Sequence, residues 1–309
     1  MSLRPIRTVR PVGPRGLRAA SALTLALGAA LTASAALPVV AAAATSSATA
    51  TAGASGGTIE YRAASGQANK AVVTATASEG LSHITYVIDD VVAITVGTGC
   101  AHPDSADLTK VSCTIETRDS QDPYATLTVA LGDGNDAFTY RNDTDQAYYM
   151  VSADLGAGKD TSTHAGSVDG GSVKGGTGDD TLTVGTAGVA LGGDGNDEIH
   201  GADGTIALGE NGADRIYSYG DESDADGGAG NDVLLGGAGR QRLNGGDGND
   251  TVRGGTGDDF LYGGPGADVL YGNSGNDTIY GNSGNDKLYG GPGTDTLSGG
   301  PGTDVERQD

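Results

Sequence analysis

Between Gly227 and Arg307 a large apolar residue stands at every ninth position: Leu234, Leu243, Val252, Leu261, Leu270, Ile279, Leu288 and Leu297. The intervening residues are mostly glycine, Asn, Asp, Ser and Thr, in units such as GGDGNDTVR, GGTGDDFLY, GGPGADVLY and GNSGNDTIY. The pattern is G-G-x-G-x-D-x-U-x, with U apolar. Its first six residues suit a tight turn, because glycine enters positive φ freely. Asn273 and Asn282 replace the second glycine in two units, and Asn tolerates the same region. The last three residues form a very short strand whose middle side chain points inward. Such strands hold only when each coil pairs with its neighbours. Two nonapeptides make one coil, and coils stack at about 4.8 Å. The pattern predicts an all-β fold, a parallel β-roll (right-handed β-solenoid) with a thin interior.

Looser units precede the regular ones. Leu131–Phe138 keeps Asp136 and Phe138 in the sixth and eighth positions, and Asp154–Asp160 keeps glycines and an acid but has no large apolar residue two positions later. Clearer units run over 175–183, 192–200 and 209–217, with Asp180, Asp197 and Asp214 followed by Leu182, Ile199 and Ile216. Plain eight-residue stretches, 184–191 and 201–208, separate these three, so one edge of the upstream roll carries acids and the other does not. The acidic stretch 218–226 reads as a solvated loop. The roll is therefore expected over 131–309, with regular repeats over 227–307. Upstream of it, apolar and β-branched runs at 58–61, 71–75, 83–88, 91–96, 111–115 and 125–129, punctuated by turn residues, predict a small β-rich region over 58–130. That region is expected to continue into the roll and shield its first coil.

Composition narrows the class. The 309 residues include 55 glycines, two Phe and no Trp, too little bulk for a conventional core of this length. Residues 1–44 read as a signal peptide: five arginines, an alanine-rich apolar run and small residues suited to cleavage. Residues 45–57 read as a flexible linker. Removing the signal leaves 40 acidic against 13 basic side chains, a net charge of −27. That balance argues against nucleic acid and against basic attachment to anionic lipid. It also predicts no stable membrane insertion after cleavage. Cys100 and Cys113 are the only cysteines, and in an exported chain the pair predicts a disulfide.

The sixth position carries the chemistry. Asp232, Asp250, Asp268, Asp286 and Asp304 fall on one edge of the roll and Asp259, Asp277 and Asp295 on the other, while Gln241 interrupts the series. Together with Asp136, Asp180, Asp197 and Asp214 these are the candidate metal ligands. Stacked carboxylates repel, and a hard divalent cation between turns removes the repulsion. Calcium accepts carbonyl and carboxylate oxygens in flexible geometry, whereas magnesium demands a tighter octahedron. Metal binding and folding are then one event.

These repeats resemble the RTX, or haemolysin-type, calcium-binding family. The resemblance implies a parallel β-roll with Ca²⁺ (several ions) held in its turns, as in secreted toxins, proteases, lipases and surface proteins. The fold alone does not set an activity. No HExxH helix and no G-x-S-x-G elbow occurs, and His83, His102 and His200 read as surface residues. Tyr262, Tyr271, Tyr280 and Tyr289 form outward ladders split between two faces. The sequence thus predicts a secreted, extracellular calcium-binding protein with a structural or adhesive role at the cell surface and no catalytic residues. The partners it predicts are calcium and a surface or matrix polysaccharide. The alternative is an extracellular polysaccharide-acting enzyme built on the roll, whose acids lie outside the calcium register.

Overall fold

A computed structural model describes residues 48–52, 57–117, 124–146, 149–166 and 170–308, all within one compact unit, Thr45–Asp309. The expected signal segment 1–44 lies outside the described residues. Short strands alternate between two sheets, one of thirteen strands and one of fourteen. Each coil of the chain contributes one strand to each sheet, and successive coils pair in parallel. Among the described residues the only helical element is a 3₁₀ turn, Glu79–Leu81. No helix there is long and apolar enough to cross a membrane. The chain is an all-β parallel β-roll with a β-rich region before it.

Two columns of inward side chains make the interior. One sheet contributes Leu182, Ile199, Ile216, Leu234, Val252, Leu270 and Leu288 in register. The other contributes Val173, Ala190, Ala207, Ala225, Leu243, Leu261 and Ile279. All of them are buried. This second column therefore carries Ala190, Ala207 and Ala225 where the regular nonapeptides supply leucine or isoleucine. Leu297, in the last coil, is only partly buried.

Parallel pairing crosses residue 130 without a break. Ile59–Arg62 pairs with Tyr124–Ala130, and Lys70–Ala77 pairs with Ala137–Asp143. Residues 59–77 thus form the first coil. The chain then leaves to build antiparallel strands His83–Asp89 and Lys110–Glu116 on the edge of that coil, with Cys100–Ala101 beyond. Cys100 and Cys113 face each other across the outermost pair, with Cα atoms 4.2 Å apart, and form the disulfide.

Two stretches differ from expectation. Ala48–Ala52, inside the presumed linker, is a strand, antiparallel to Ile59–Arg62 and parallel to Ile94–Val96. The first coil offers an open edge, and a Thr/Ala run free of proline can pair with it. The acidic stretch 218–226 is not all loop. Only Tyr219–Glu222 turns, and Ser223–Ala229 is a strand with Ala225 inward and Asp224 and Asp226 outward. Buried Ser218 and Ser223 close this turn through a hydroxyl pair 2.9 Å apart.

Candidate metal centre

The turns bring the coils very close. Gly248 has φ of 149°, and a Cβ there would lie 1.4 Å from the Gly230 carbonyl oxygen one coil earlier. Asn273 and Asn282 hold φ of 73° and 70°, the positive region their side chains tolerate. With no side chain between turns, position six of each coil sits directly beneath the next.

One ladder of aspartates results. Oδ1 of each accepts the backbone N–H of its counterpart one coil earlier: Asp136 donates to Asp160 (2.7 Å), Asp160 to Asp180, Asp180 to Asp197, and Asp197 to Asp214. It continues through Asp232, Asp250, Asp268 and Asp286 to Asp304, ending at 3.0 Å. The opposite edge holds a shorter ladder, Gln241 to Asp259 to Asp277 to Asp295. The two-edge division follows the register read from the sequence. Asp160 is the ladder position absent from the candidate residues read from the sequence. Its inward neighbour is Ser162 in place of a large apolar residue, so the unit lost its signature while its acid kept its place.

The second oxygen is the informative one. Oδ2 of Asp136, Asp160, Asp180, Asp197, Asp214, Asp232, Asp250, Asp259, Asp268, Asp277, Asp286 and Asp295 is buried with no hydrogen-bond partner. Buried polar atoms are seldom left so. From Asp180 to Asp286 that oxygen faces a small cradle beside the first glycine of its unit. A Cβ on Gly175 would lie 2.3 Å from Asp180 Oδ2 and 2.6 Å from the carbonyl oxygen of Gly192, in the next coil. The same arrangement recurs at Gly192, Gly209, Gly245, Gly254, Gly263, Gly272 and Gly281. A carboxylate oxygen and a carbonyl oxygen therefore converge where the missing side chain leaves room. Among the described residues no three His, Cys, Asp or Glu side chains gather as a metal cage. The donor set is one carboxylate with backbone oxygens, which suits a hard cation.

Two contrasts sharpen this. Buried Asp90 has both oxygens satisfied, by Tyr61 Oη–H, Asn69 Nδ2–H and the backbone N–H of Lys70 and Val91. The fold can pair a buried carboxylate fully, and along the ladders it does not. Gln241, heading the second ladder, supplies its own positive end. Its amide donates to the carbonyls of Gly220 (3.0 Å) and Ala238 (2.8 Å), and its Oε1 accepts from Gly237 N–H. The first ladder is also headed by an amide residue, Asn69, whose backbone N–H donates to Asp136.

Desolvation pushes the ladder carboxyls up, Asp180, Asp214, Asp259 and Asp268 to about 7 and Asp136 and Asp232 to about 6. The donated N–H opposes the rise, and in these six neighbouring carboxylates add to it. Asp160, Asp197, Asp250, Asp277 and Asp286 move in the same direction, burial being the main cause.

Position five adds an outer ladder of carboxylate and amide side chains. Asp179 accepts Asn196 N–H, Asn196 accepts Ala213 N–H, and Asp258 accepts Asn276 N–H. The recurrent Asn-Asp and Asp-Asp pairs were its signal. Of the histidines, His83 meets Ser82, His102 meets the Lys110 carbonyl, and His200 pairs with Glu198 and stacks on Tyr217. His164, by contrast, is buried against Phe138 and Tyr140.

The model of the RTX calcium-binding nonapeptide repeat matches residues 189–205, 208–240, 235–270, 244–279 and 271–306. Residues 189–306 are RTX repeats. No curated protein matches the chain. The same ladder geometry extends upstream of the RTX match, through Asp180 and Asp160 to Asp136. Coil spacing explains the difference in legibility. Successive ladder acids are 18 residues apart in the regular RTX stretch but 20 and 24 apart upstream.

Proposed function

We propose that this is a secreted calcium-ion-binding protein whose repeats fold on Ca²⁺ binding and whose role is structural or adhesive at the cell surface. The observation that carries this reading is the row of buried Oδ2 atoms without partners, which from Asp180 to Asp286 lie beside a glycine carbonyl of the next coil. Asp136, Asp160, Asp180, Asp197, Asp214, Asp232, Asp250, Asp259, Asp268, Asp277, Asp286, Asp295 and Asp304 would each supply one carboxylate, and first-position glycines the carbonyls. A bound calcium supplies the positive charge that these oxygens lack. The amide of Gln241 does the same work from within the chain, so the second edge takes ions only from Asp259 onward.

A metal-free roll leaves about a dozen buried carboxylate oxygens unpaired, each costing on the order of 1–3 kcal/mol. Summed, this is comparable to or larger than the net stability of an ordinary domain, about 5–15 kcal/mol. At neutral pH calcium binding and folding are therefore coupled. Titrating the chelator-treated chain with calcium, followed by far-ultraviolet circular dichroism, should give a cooperative coil-to-β transition. Magnesium should not produce it at the same concentration. A chain equally β-structured in chelator would end this reading.

A further inference from the structure

We propose that the outward ridge Arg253–Tyr271–Tyr289–Arg307 binds a strand of carboxylated polysaccharide. The inference rests on the adhesive role argued above and names its ligand. Parallel register places these four residues at position nine of four successive coils on one sheet. The tyrosine rings stack at 5.0 Å and 11°, Arg253 lies 5.2 Å from the Tyr271 centroid, and Arg307 lies 5.9 Å from that of Tyr289. The ridge spans three coil spacings, about 14 Å.

Its charge is the unusual feature. The chain carries 40 acidic side chains, and Arg240 and Arg242 each find one, Glu222 at 2.7 Å and Asp224 at 3.7 Å. Exposed Arg253 and Arg307 make no ion pair or side-chain hydrogen bond with any described residue. The hydroxyls of Tyr271 and Tyr289 are likewise without a partner among the described residues. The ridge thus presents guanidinium and hydroxyl donors in line, and guanidinium selects carboxylate by geometry.

The same stacking excludes the usual neutral-sugar mode. One face of each ring is covered by the other ring and the second by a guanidinium, so no open platform remains for a pyranose face. Beside the ridge runs an open groove of about 270 Å³, lined by Tyr271, Asn273, Ser274, Tyr289 and the Gly290–Pro292 turn. Its walls offer the hydroxyl of Ser274 and the amide of Asn273 beside the tyrosine rings and Pro292. A chain of acidic sugars fits both features: carboxylates meet the arginines, and hydroxyls meet the groove.

The test uses the calcium-saturated chain and three probes: an oligogalacturonate of defined length, its methyl ester, and poly-glutamate. Binding is measured by calorimetry, with circular dichroism confirming that each variant still folds on calcium. The oligogalacturonate should bind, and the ester and the polypeptide should not. Arg253→Gln combined with Arg307→Gln should weaken binding at least about tenfold, as loss of charge-assisted hydrogen bonds requires. Arg242→Gln, on the other sheet, should leave it unchanged. Equal binding of the ester or of poly-glutamate, or an unaffected double variant, would overturn the proposal. No binding by a chain that folds on calcium would also overturn it, while leaving the calcium reading intact.

Discussion

Asp268 and Gln241 occupy equivalent positions and solve one electrostatic problem in two ways. Each donates its backbone N–H to the aspartate one coil later, Asp286 and Asp259, yet Asp268 leaves Oδ2 bare while the Gln241 amide closes on the Gly220 and Ala238 carbonyls. Gln241→Asp should therefore create one more bare oxygen. We expect calorimetry with calcium to register additional ion uptake. The metal-free state should become less stable by about 1–3 kcal/mol, the desolvation penalty of an unpaired buried group. Unchanged uptake would mean that carboxylate position six does not define the site. This distinction was half legible in the sequence: the break at Gln241 was visible, but not that its amide reaches two carbonyls. Asp160 was not legible as a ladder member at all, because Ser162 removed the apolar mark by which units were recognised. Asp90, in the first coil region, carries no repeat signature, and only folding brings it to Tyr61 and Asn69.

At the scale of the element, the strand is too short to be stable and the column is the working unit. Leu261 is fully buried between Leu243 and Ile279 in its column. Leu261→Ala should destabilise the calcium-loaded roll by about 2–5 kcal/mol, measured by denaturant unfolding in excess calcium. An effect below about 0.5 kcal/mol would show that the neighbouring coils collapse onto the gap. Upstream, the same column is built from Ala190, Ala207 and Ala225. The strands before residue 130 were readable from β-branched runs and turn residues. Their pairing was not, since a run of apolar residues does not say whether its partner is parallel or antiparallel. Here both occur within one sheet, Lys70–Ala77 pairing in parallel with Ala137–Asp143 and antiparallel with His83–Asp89.

For the molecule as a whole, the proposed calcium binding would make the ladders link protons, calcium and folding. Unfolded carboxyls titrate near 3.9, and in the metal-free roll Asp136 and Asp232 rise to about 6 and Asp180, Asp214, Asp259 and Asp268 to about 7. Because the folded values are raised, protonation favours the fold. The stabilisation is complete below about pH 4 and is lost as pH rises through 6 to 7. In chelator, β-structure should therefore decline between pH 4 and pH 8. With saturating calcium the decline should vanish, because the ion replaces the protons. Circular dichroism across that range in both conditions checks the sign. A metal-free roll that gains structure with rising pH would contradict it.

The sequence by itself determined the period, the inward residue, the turn and the acid, because each follows from local chemistry repeated nine residues at a time. Glycine and asparagine specify positive φ, a single apolar residue specifies a thin core, and recurrence specifies stacking. It determined the two edges as well, since 18 residues return the chain to the same side. Only the tertiary structure decided what depends on contact between coils. That includes which carboxylate oxygen is paired and which is bare, and where an amide stands in for charge. It also includes which arginines lack a partner, and how residues 59–77 become the first coil of a roll whose regular repeats begin 150 residues later. Those properties arise between atoms distant along the chain, and no local pattern records them.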